Sequence, residues 1–301
     1  MPKRNTRNED PVIVEKNSTN VLTIRFKEVH EGWEHWFLLS SDRHHDSVDC
    51  NRELEMEHLE LARQRGGHVL DFGDIFDVMQ GKYDPRRTYP EMRDEYLKEM
   101  KKEKTGYLDV VVKDLAKFYG PYADRFLLIT QGNHETAIKS HNDTDLIERL
   151  VSRMNIENKV NVHKGAYGGW VRFNFVIGKT QCESLNLKYF HGSGGGGPVT
   201  KGTIQSNRQA VYLPDAGVVV NGHIHESWIL ALKRERLSEK GVIYSDMQYH
   251  VRTGTYKDDY GDGSGNWHVE RGAPPKPMGA VWMRLYHDNR HVRVQLMQDV
   301  R

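Results

Sequence analysis

Five short runs carry side chains that bind metals. They are Asp42-Arg43-His44, Gly73-Asp74-Ile75-Phe76-Asp77, Gly132-Asn133-His134-Glu135, His191-Gly192 and Gly222-His223-Ile224-His225. Each offers oxygen or imidazole donors at the end of an apolar run. Mixed oxygen and nitrogen donors suit Mn²⁺, Fe or Zn²⁺. Cysteine is absent from all five, which argues against a structural zinc site. Two ions about 3.5–4 Å apart need a shared carboxylate. Asp74, in the middle of a tight strand-to-helix turn, is the natural bridge. Asp42, His44 and one C-terminal histidine can complete one ion. Asn133, His191 and the other C-terminal histidine can complete the second. A neutral Asn ligand limits negative charge beside a phosphate. Two cations so placed would turn a bridging water into hydroxide near neutral pH.

Taken singly the runs are weak signals. Gly-Asp-x-x-Asp is usually a helix-capping turn, and a lone Gly-x-His is more often a satisfied polar residue at a strand end. Gly-His-x-His is stronger, because alternate strand residues share a face. The ordered conjunction of all five carries the reading. Glycines at 73, 132, 192 and 222 let the backbone turn sharply near the ions.

The elements that must position these residues are legible as short apolar runs. Trp36-Phe-Leu-Leu-Ser and His68-Val-Leu-Asp-Phe look like buried parallel strands. Between them Leu54, His58, Leu61 and Ala62 recur at helical spacing, and Gly66-Gly67 ends the helix. This order predicts a right-handed parallel crossover, with ligands at the carboxyl ends of strands. Leu108 to Phe118 and Leu146 to Met154 carry further helical stripes, the second capped at Asp143 or Thr144. From Trp170 the pattern turns to period two. Lys188–His191 and Gly217–Asn221 read as strands, and 281–296 as a hairpin. The expected fold is α/β, with two sheets packed face to face and helices outside. Residues 1–18 read as a polar arm and 19–301 as one domain. That domain carries a charged helical insertion at about 80–104 and a Gly/Pro-rich loop at about 254–279.

Composition narrows the class. Lys+Arg total 43 against 42 Asp+Glu, so bulk charge gives no case for a polyanionic partner. Hydrophobic residues make up 37%, enough for a core. Two cysteines, Cys50 and Cys182, allow no disulfide framework and fit reduced thiols in the cytoplasm. The polar N-terminus lacks a signal-peptide core, and no apolar run approaches the ~20 residues of a membrane span. Histidine, at 16 residues, is the unusual count, and its placement at strand ends is what matters.

The five motifs, over roughly residues 36 to 230, resemble the calcineurin-like metallophosphoesterase superfamily. The resemblance implies a four-layer α/β/β/α sandwich of two mixed sheets. It implies that Asp42, His44, Asp74 and His225 hold one ion, and that Asp74, Asn133, His191 and His223 hold the other. Mn²⁺ is the expected metal, with Fe, Zn²⁺ or Ni²⁺ as alternatives. His134 would be the general acid or would steady the transition state. Ser/Thr phosphatases of that superfamily place an Arg after the second-motif Asp, where this chain has Val78-Met79. The Gly-Asp-Ile-Phe form is closer to DNA double-strand-break repair nucleases. The expected activity is therefore phosphodiester hydrolysis on nucleic acid. A phosphomonoesterase or small-nucleotide hydrolase is the runner-up, and a non-catalytic metal-binding structural or regulatory protein the third reading. Expected partners are a phosphoester substrate (DNA, RNA or a nucleotide) and a second copy of the chain, with no membrane. Arg252 and Tyr256 are candidate substrate contacts. Arg86, Arg87, Lys101, Lys102 and Lys104 could meet a phosphate backbone, but their acidic neighbours favour a solvated face. His45, Asp46, His141 and His163 lack motif context and read as surface groups.

Overall fold

Residues 12–79, 92–178, 181–197, 199–263, 267–270 and 272–301 are described by a computed structural model of the chain. Among them, two mixed sheets face each other. The six-stranded sheet contains β3 (Glu34–Ser40), β4 (His68–Asp71), β5 (Phe126–Ile129), β6 (His163–Lys164), β12 (Gly279–Asp288) and β13 (His291–Val300), in the order β13-β12-β3-β4-β5-β6. The seven-stranded sheet contains β1 (Val12–Ser18), β2 (Val21–Val29), β7 (Gly168–Ile177), β8 (Gln181–Phe190), β9 (Val218–Asn221), β10 (Ser227–Leu237) and β11 (Ile243–Thr253). Its order is β1-β2-β7-β8-β9-β11-β10.

The strands nearest the motifs are short and buried along their whole length. β4, β5 and β9 are four-residue runs with every residue buried, as strands covered on both faces must be. β3, β4, β5 and β6 run parallel, and β8 runs parallel to β9. Their carboxyl ends therefore open on one rim. Between the sheets, Leu22, Ile24, Phe26, Phe173 and Phe175 pack on Phe37, Leu39, Leu70 and Met283.

The helices supply the outer layers. α1 (Arg52–Gln64), α2 (Asp94–Glu103), α3 (Tyr107–Tyr119), α4 (Asn133–Asn142) and α5 (Leu146–Asn158) precede the β6–β9 half of the chain. Leu54, Leu59, Val111, Leu115, Ile147, Leu150 and Met154 seal the outer face of the six-stranded sheet. On the far face of the other sheet, Leu213, Ala216, Val219 and Trp170 form a small cluster after α6 (Thr203–Tyr212). This is the α/β/β/α arrangement that the resemblance implied. The fourth layer rests on α6 among the described residues.

Several local expectations change. Val12–Ser18, read as part of a polar arm, pairs antiparallel with β2 as an edge strand; Val12 and Val14 pack against the inter-sheet core. Asp145, not Asp143 or Thr144, caps α5 by accepting from Glu148 N at 3.0 Å. Asp143 is instead the left-handed residue that ends α4. The β10–β11 hairpin was missed because Lys233, Arg234, Glu235 and Arg236 dilute its apolar alternation. Of the charged insertion, residues 80–91 (with Arg86 and Arg87) lie outside the described residues, and 94–103 form α2. Lys102 there pairs with Glu99 and Glu103, the solvated-face arrangement.

Candidate metal centre

All five motifs meet on the shared rim. Asp42 and His44 follow β3, Asp74 follows β4, and Asn133 and His134 follow β5 at the start of α4. From the opposite sheet, His191 follows β8, and His223 and His225 follow β9. Backbone bonds zip the loops together. Asp42 N donates to Gly73 O at 2.9 Å and His44 N to Asp74 O at 3.0 Å. Gly222 N donates to His191 O at 2.7 Å, joining the two contributions of the second sheet. His134 N donates to Asp74 Oδ1 at 2.9 Å, and His223 N donates to Asp42 Oδ2 at 2.9 Å.

The backbone here is held away from its preferred wells. Asp42, His44, Asp74, His223 and His225 all have positive φ, between 45° and 75°. Left-handed backbone is uncommon for residues other than glycine and persists only where the surroundings over-determine it. Two glycines make that crowding possible. A Cβ on Gly132 would run into Asp74, and one on Gly222 would run into Ser41 and Asp42.

The donor atoms point at one another. His44 Nε2 lies 3.2 Å from His225 Nε2, and 4.0 Å from Asp42 Oδ1. His225 Nε2 lies 3.6 Å from Asp42 Oδ1. On the other side His191 Nε2 lies 3.1 Å from Asp74 Oδ2 and 3.2 Å from Asn133 Oδ1. His223 Nδ1 lies 2.6 Å from Asn133 Oδ1. Asp42, His44 and His225 form one tight group, and Asp74, His191 and His223 another.

The opposite ring nitrogens decide what these contacts are. His44 Nδ1 faces Asp77 Oδ1 at 3.1 Å, and His225 Nδ1 faces Asp259 Oδ2 at 2.9 Å. His191 Nδ1 sits 2.8 Å from the carbonyl of Phe72, and His134 Nδ1 2.5 Å from that of Asp77. In His225 and His191 the Nδ1 proton therefore goes to an acceptor, which leaves Nε2 of the neutral ring as a lone pair, whereas His44 Nδ1 lies near Asp77 but off hydrogen-bond geometry. His225 then turns its lone pair toward His44 Nε2, and His191 turns one toward a carboxylate. Lone pairs converge this way around a cation. Without one, a proton takes its place. Burial alone holds His191 imidazolium down, but Asp74 overrides it, with Asp42 beyond, and raises the pKa to about 10. Burial keeps His44 below its ordinary value despite Asp77.

A buried layer supports the donors. Glu135 accepts from the N–H groups of Gly132 at 2.7 Å, Phe76 at 3.0 Å and Asp74 at 3.2 Å, locking two motif loops to α4. Arg43, fully buried, donates to Asp71 at 2.7 Å and Glu55 at 2.9 Å and lies over the Tyr256 ring. Lys257 Nζ reaches Asp77 Oδ1 at 3.2 Å and Asp259 Oδ1 at 3.4 Å. Sequence reasoning missed Lys257 and Asp259. Both lie in the loop after β11, where no apolar run marks a strand end.

Other assignments are corrected. Arg252 and Tyr256, named as substrate contacts, are both fully buried. Arg252 donates to the Gly222 carbonyl at 2.6 Å and to Gln205 at 2.8 Å, so it steadies the turn that delivers His223. Tyr256 OH lies 2.7 Å from His58 Nδ1, and its backbone N–H donates to Asp42 O at 3.0 Å. The loop from 254 thus starts as a buried strap behind Asp42. His45 and Asp46, read as surface groups, are buried too. His45 Nδ1 pairs with Glu55 at 2.6 Å, and Asp46 accepts from Asp77 N at 2.6 Å and Val78 N at 2.8 Å. His141 is exposed, as expected. Both cysteines are free, Cys50 buried and Cys182 exposed. Among the described residues no helix is long and apolar enough to cross a membrane.

No family model matches the chain, and no curated protein does. Among solved structures it is similar to Vacuolar Protein Sorting 29 from Cryptosporidium parvum, at 13% identity and TM-score 0.35, over 89% of this chain and 100% of that one. A Staphylococcus aureus protein provisionally described as a 5'-nucleotidase, solved with alpha-ketoglutarate, shows 12% identity and TM-score 0.45, over 88% of this chain and 54% of that one. A Streptococcus pneumoniae protein described as a predicted phosphoesterase shows 10% identity and TM-score 0.31, over 88% and 90%. What the chain itself presents is a set of buried and half-buried carboxylate, amide and imidazole donors whose chemistry fits a pair of divalent ions.

Proposed function

We propose that this chain is a metal-dependent phosphoester hydrolase working with two divalent ions. The observation that carries the reading is the convergence of imidazole nitrogens on each other and on Asp74, with His225 and His191 fixed from behind by an acceptor at the other nitrogen. Asp42, His44 and His225 would hold one ion, Asn133, His191 and His223 the other, and Asp74 would serve both. The ions, when bound, neutralise phosphate oxygens and make water nucleophilic near neutral pH.

The chain's own residues do the rest. His134 keeps Nδ1 on the Asp77 carbonyl, so Nε2 is the nitrogen turned to the centre, 3.8 Å from Asp74 Oδ2. Protonated there, it gives a proton to the departing oxygen or binds an equatorial one. The position after Asp77 is Val78, buried and apolar, where related phosphatases carry a phosphate-binding Arg. A terminal phosphate dianion gains most from a bidentate Arg, and its absence here supports a singly charged phosphodiester, as in nucleic acid.

The test is hydrolysis of bis-p-nitrophenyl phosphate against p-nitrophenyl phosphate with Mn²⁺, followed by labelled single-stranded and duplex DNA. Preference for the diester together with strand cleavage is expected. Monoester preference would replace the diester reading with the runner-up. Bound metal without hydrolysis of any substrate would refute catalysis.

A further inference from the structure

We infer that Lys257 is a positioning residue for the ion held by Asp42, His44 and His225; the inference rests on the metal-centred reading above. Lys257 Nζ stands between two carboxylates, 3.2 Å from Asp77 Oδ1 and 3.4 Å from Asp259 Oδ1. Asp77 faces His44 Nδ1 at 3.1 Å, and Asp259 faces His225 Nδ1 at 2.9 Å. The two imidazoles then meet at Nε2, 3.2 Å apart. The result is a closed ring: ammonium, carboxylate, imidazole, imidazole, carboxylate and back to ammonium. Every member is mostly buried, with side-chain exposures of 12% for Lys257, 8% for Asp77 and 15% for Asp259.

The chemistry of the ring is specific. Asp259 holds His225 Nδ1 and Asp77 stands beside His44 Nδ1, so the places of the two carboxylates set where each Nε2 points. Two anions sharing so dry a space repel, and a cation between them removes the repulsion. An ammonium suits the task because its three donors can serve two carboxylates at once. Lys257 is itself anchored, its N–H donating to Thr255 Oγ1 at 3.0 Å while Cys50 and Lys257 form an isolated bridge. Among the described residues the other ion position shows no such ring. There the Phe72 carbonyl orients His191, and His223 meets Asn133 directly. Loss of Lys257 should therefore strike one ion and spare the other.

The experiment uses the full chain stripped of metal, as wild type, Lys257→Met and Lys257→Arg. Mn²⁺ uptake is followed by calorimetry, and the ring nitrogens of the metal-free proteins by ¹⁵N-histidine NMR. Wild type should take up two ions. Lys257→Met should weaken one of them by about 10–100-fold, the range for an outer-shell partner, with the other unchanged. Lys257→Arg, whose fork can span both carboxylates, should recover most of the loss. In metal-free Lys257→Met the His225 ring should no longer be fixed with its proton on Nδ1, while His191 keeps its signals. Uptake of both ions as in wild type overturns the inference. So does equal weakening of both, the mark of a merely structural lysine. If wild type itself takes up no Mn²⁺, the proposed function fails. The NMR comparison still decides the clamp, and unchanged His225 signals in Lys257→Met overturn it. Should Lys257→Met not fold, Asp259→Asn keeps the acceptor oxygen but not the charge; the same one-ion loss is expected, and no loss overturns the inference.

Discussion

Replacing Gly132 with alanine adds one methyl group beside the carboxylate that both ions would share. The backbone does not resist the change, since Gly132 is extended at φ −108°, ψ −168°. The obstacle is Asp74. The new Cβ would stand 2.5 Å from Asp74 N and 2.7 Å from its Cγ, and would overlap Oδ1. Carbon needs roughly 3.5 Å from such neighbours, so Asp74 must retreat by about 1 Å. Metal–ligand distances tolerate only about 0.2 Å. The overlap itself should cost about 1–3 kcal/mol of stability, as overpacking does in a dense interior. Mn²⁺ affinity should fall by about 100-fold or more at both positions, because the displaced group belongs to both. Gly120→Ala is the matched control. It sits at helical φ −48°, and its added Cβ meets Asn158 Oδ1 at an ordinary 3.5 Å. Calorimetric Mn²⁺ titration and thermal melting of both variants make the assay. Wild-type affinity for two ions in Gly132→Ala would show that Asp74 is not their shared ligand.

Three further outcomes are expected. His134→Ala should keep both ions and lose about 10²–10⁴-fold in turnover; normal turnover would remove His134 from the reaction. Arg43→Met should strand the buried Asp71 and Glu55 carboxylates and cost about 3–5 kcal/mol in denaturant unfolding, and a loss below about 1 kcal/mol would refute that account. In the metal-free protein the His191 pKa lies at about 10, above its ordinary 6.5, so the stability gained from its proton is complete below pH 6.5 and is lost as pH rises toward 10. An arriving ion must displace that proton. Apparent Mn²⁺ affinity should therefore rise about tenfold per pH unit from about pH 7 to 9, with proton release in calorimetry, whereas a flat profile would contradict the proton assignment.

The legible part of the site was its donor atoms. Asp42, Asp74, Asn133 and His223 each follow a largely buried strand of four to seven residues, and an apolar run that stops at a polar residue can be read in one dimension. The α/β start and strand-rich second half were readable for the same reason. Their supports were not. Lys257 and Asp259 sit in a Gly- and Asp-rich loop with no periodicity, and their role exists only because the strap at Thr255 and Tyr256 folds behind Asp42. His45 and Asp46 look like ordinary polar residues until α1 and α3 cover them with Glu55 and Tyr107 as partners. Arg252 invited a substrate role because arginine binds phosphate. Its burial under Gln205 and Gly222 depends on α6, whose own buried residues, Ser206 and Gln209, are polar.

The left-handed backbone at Asp42, His44, Asp74, His223 and His225 has a consequence for inheritance. Each such residue costs about 1 kcal/mol or more relative to a relaxed conformation. Five together approach about 5 kcal/mol, the lower end of a typical domain's whole stability. Glycine would bear these dihedrals more cheaply. A lineage released from holding ions would thus drift toward glycine at the motif positions first, gaining robustness as it lost its chemistry. On the proposed function, the donors kept at these five positions are what that cost supports.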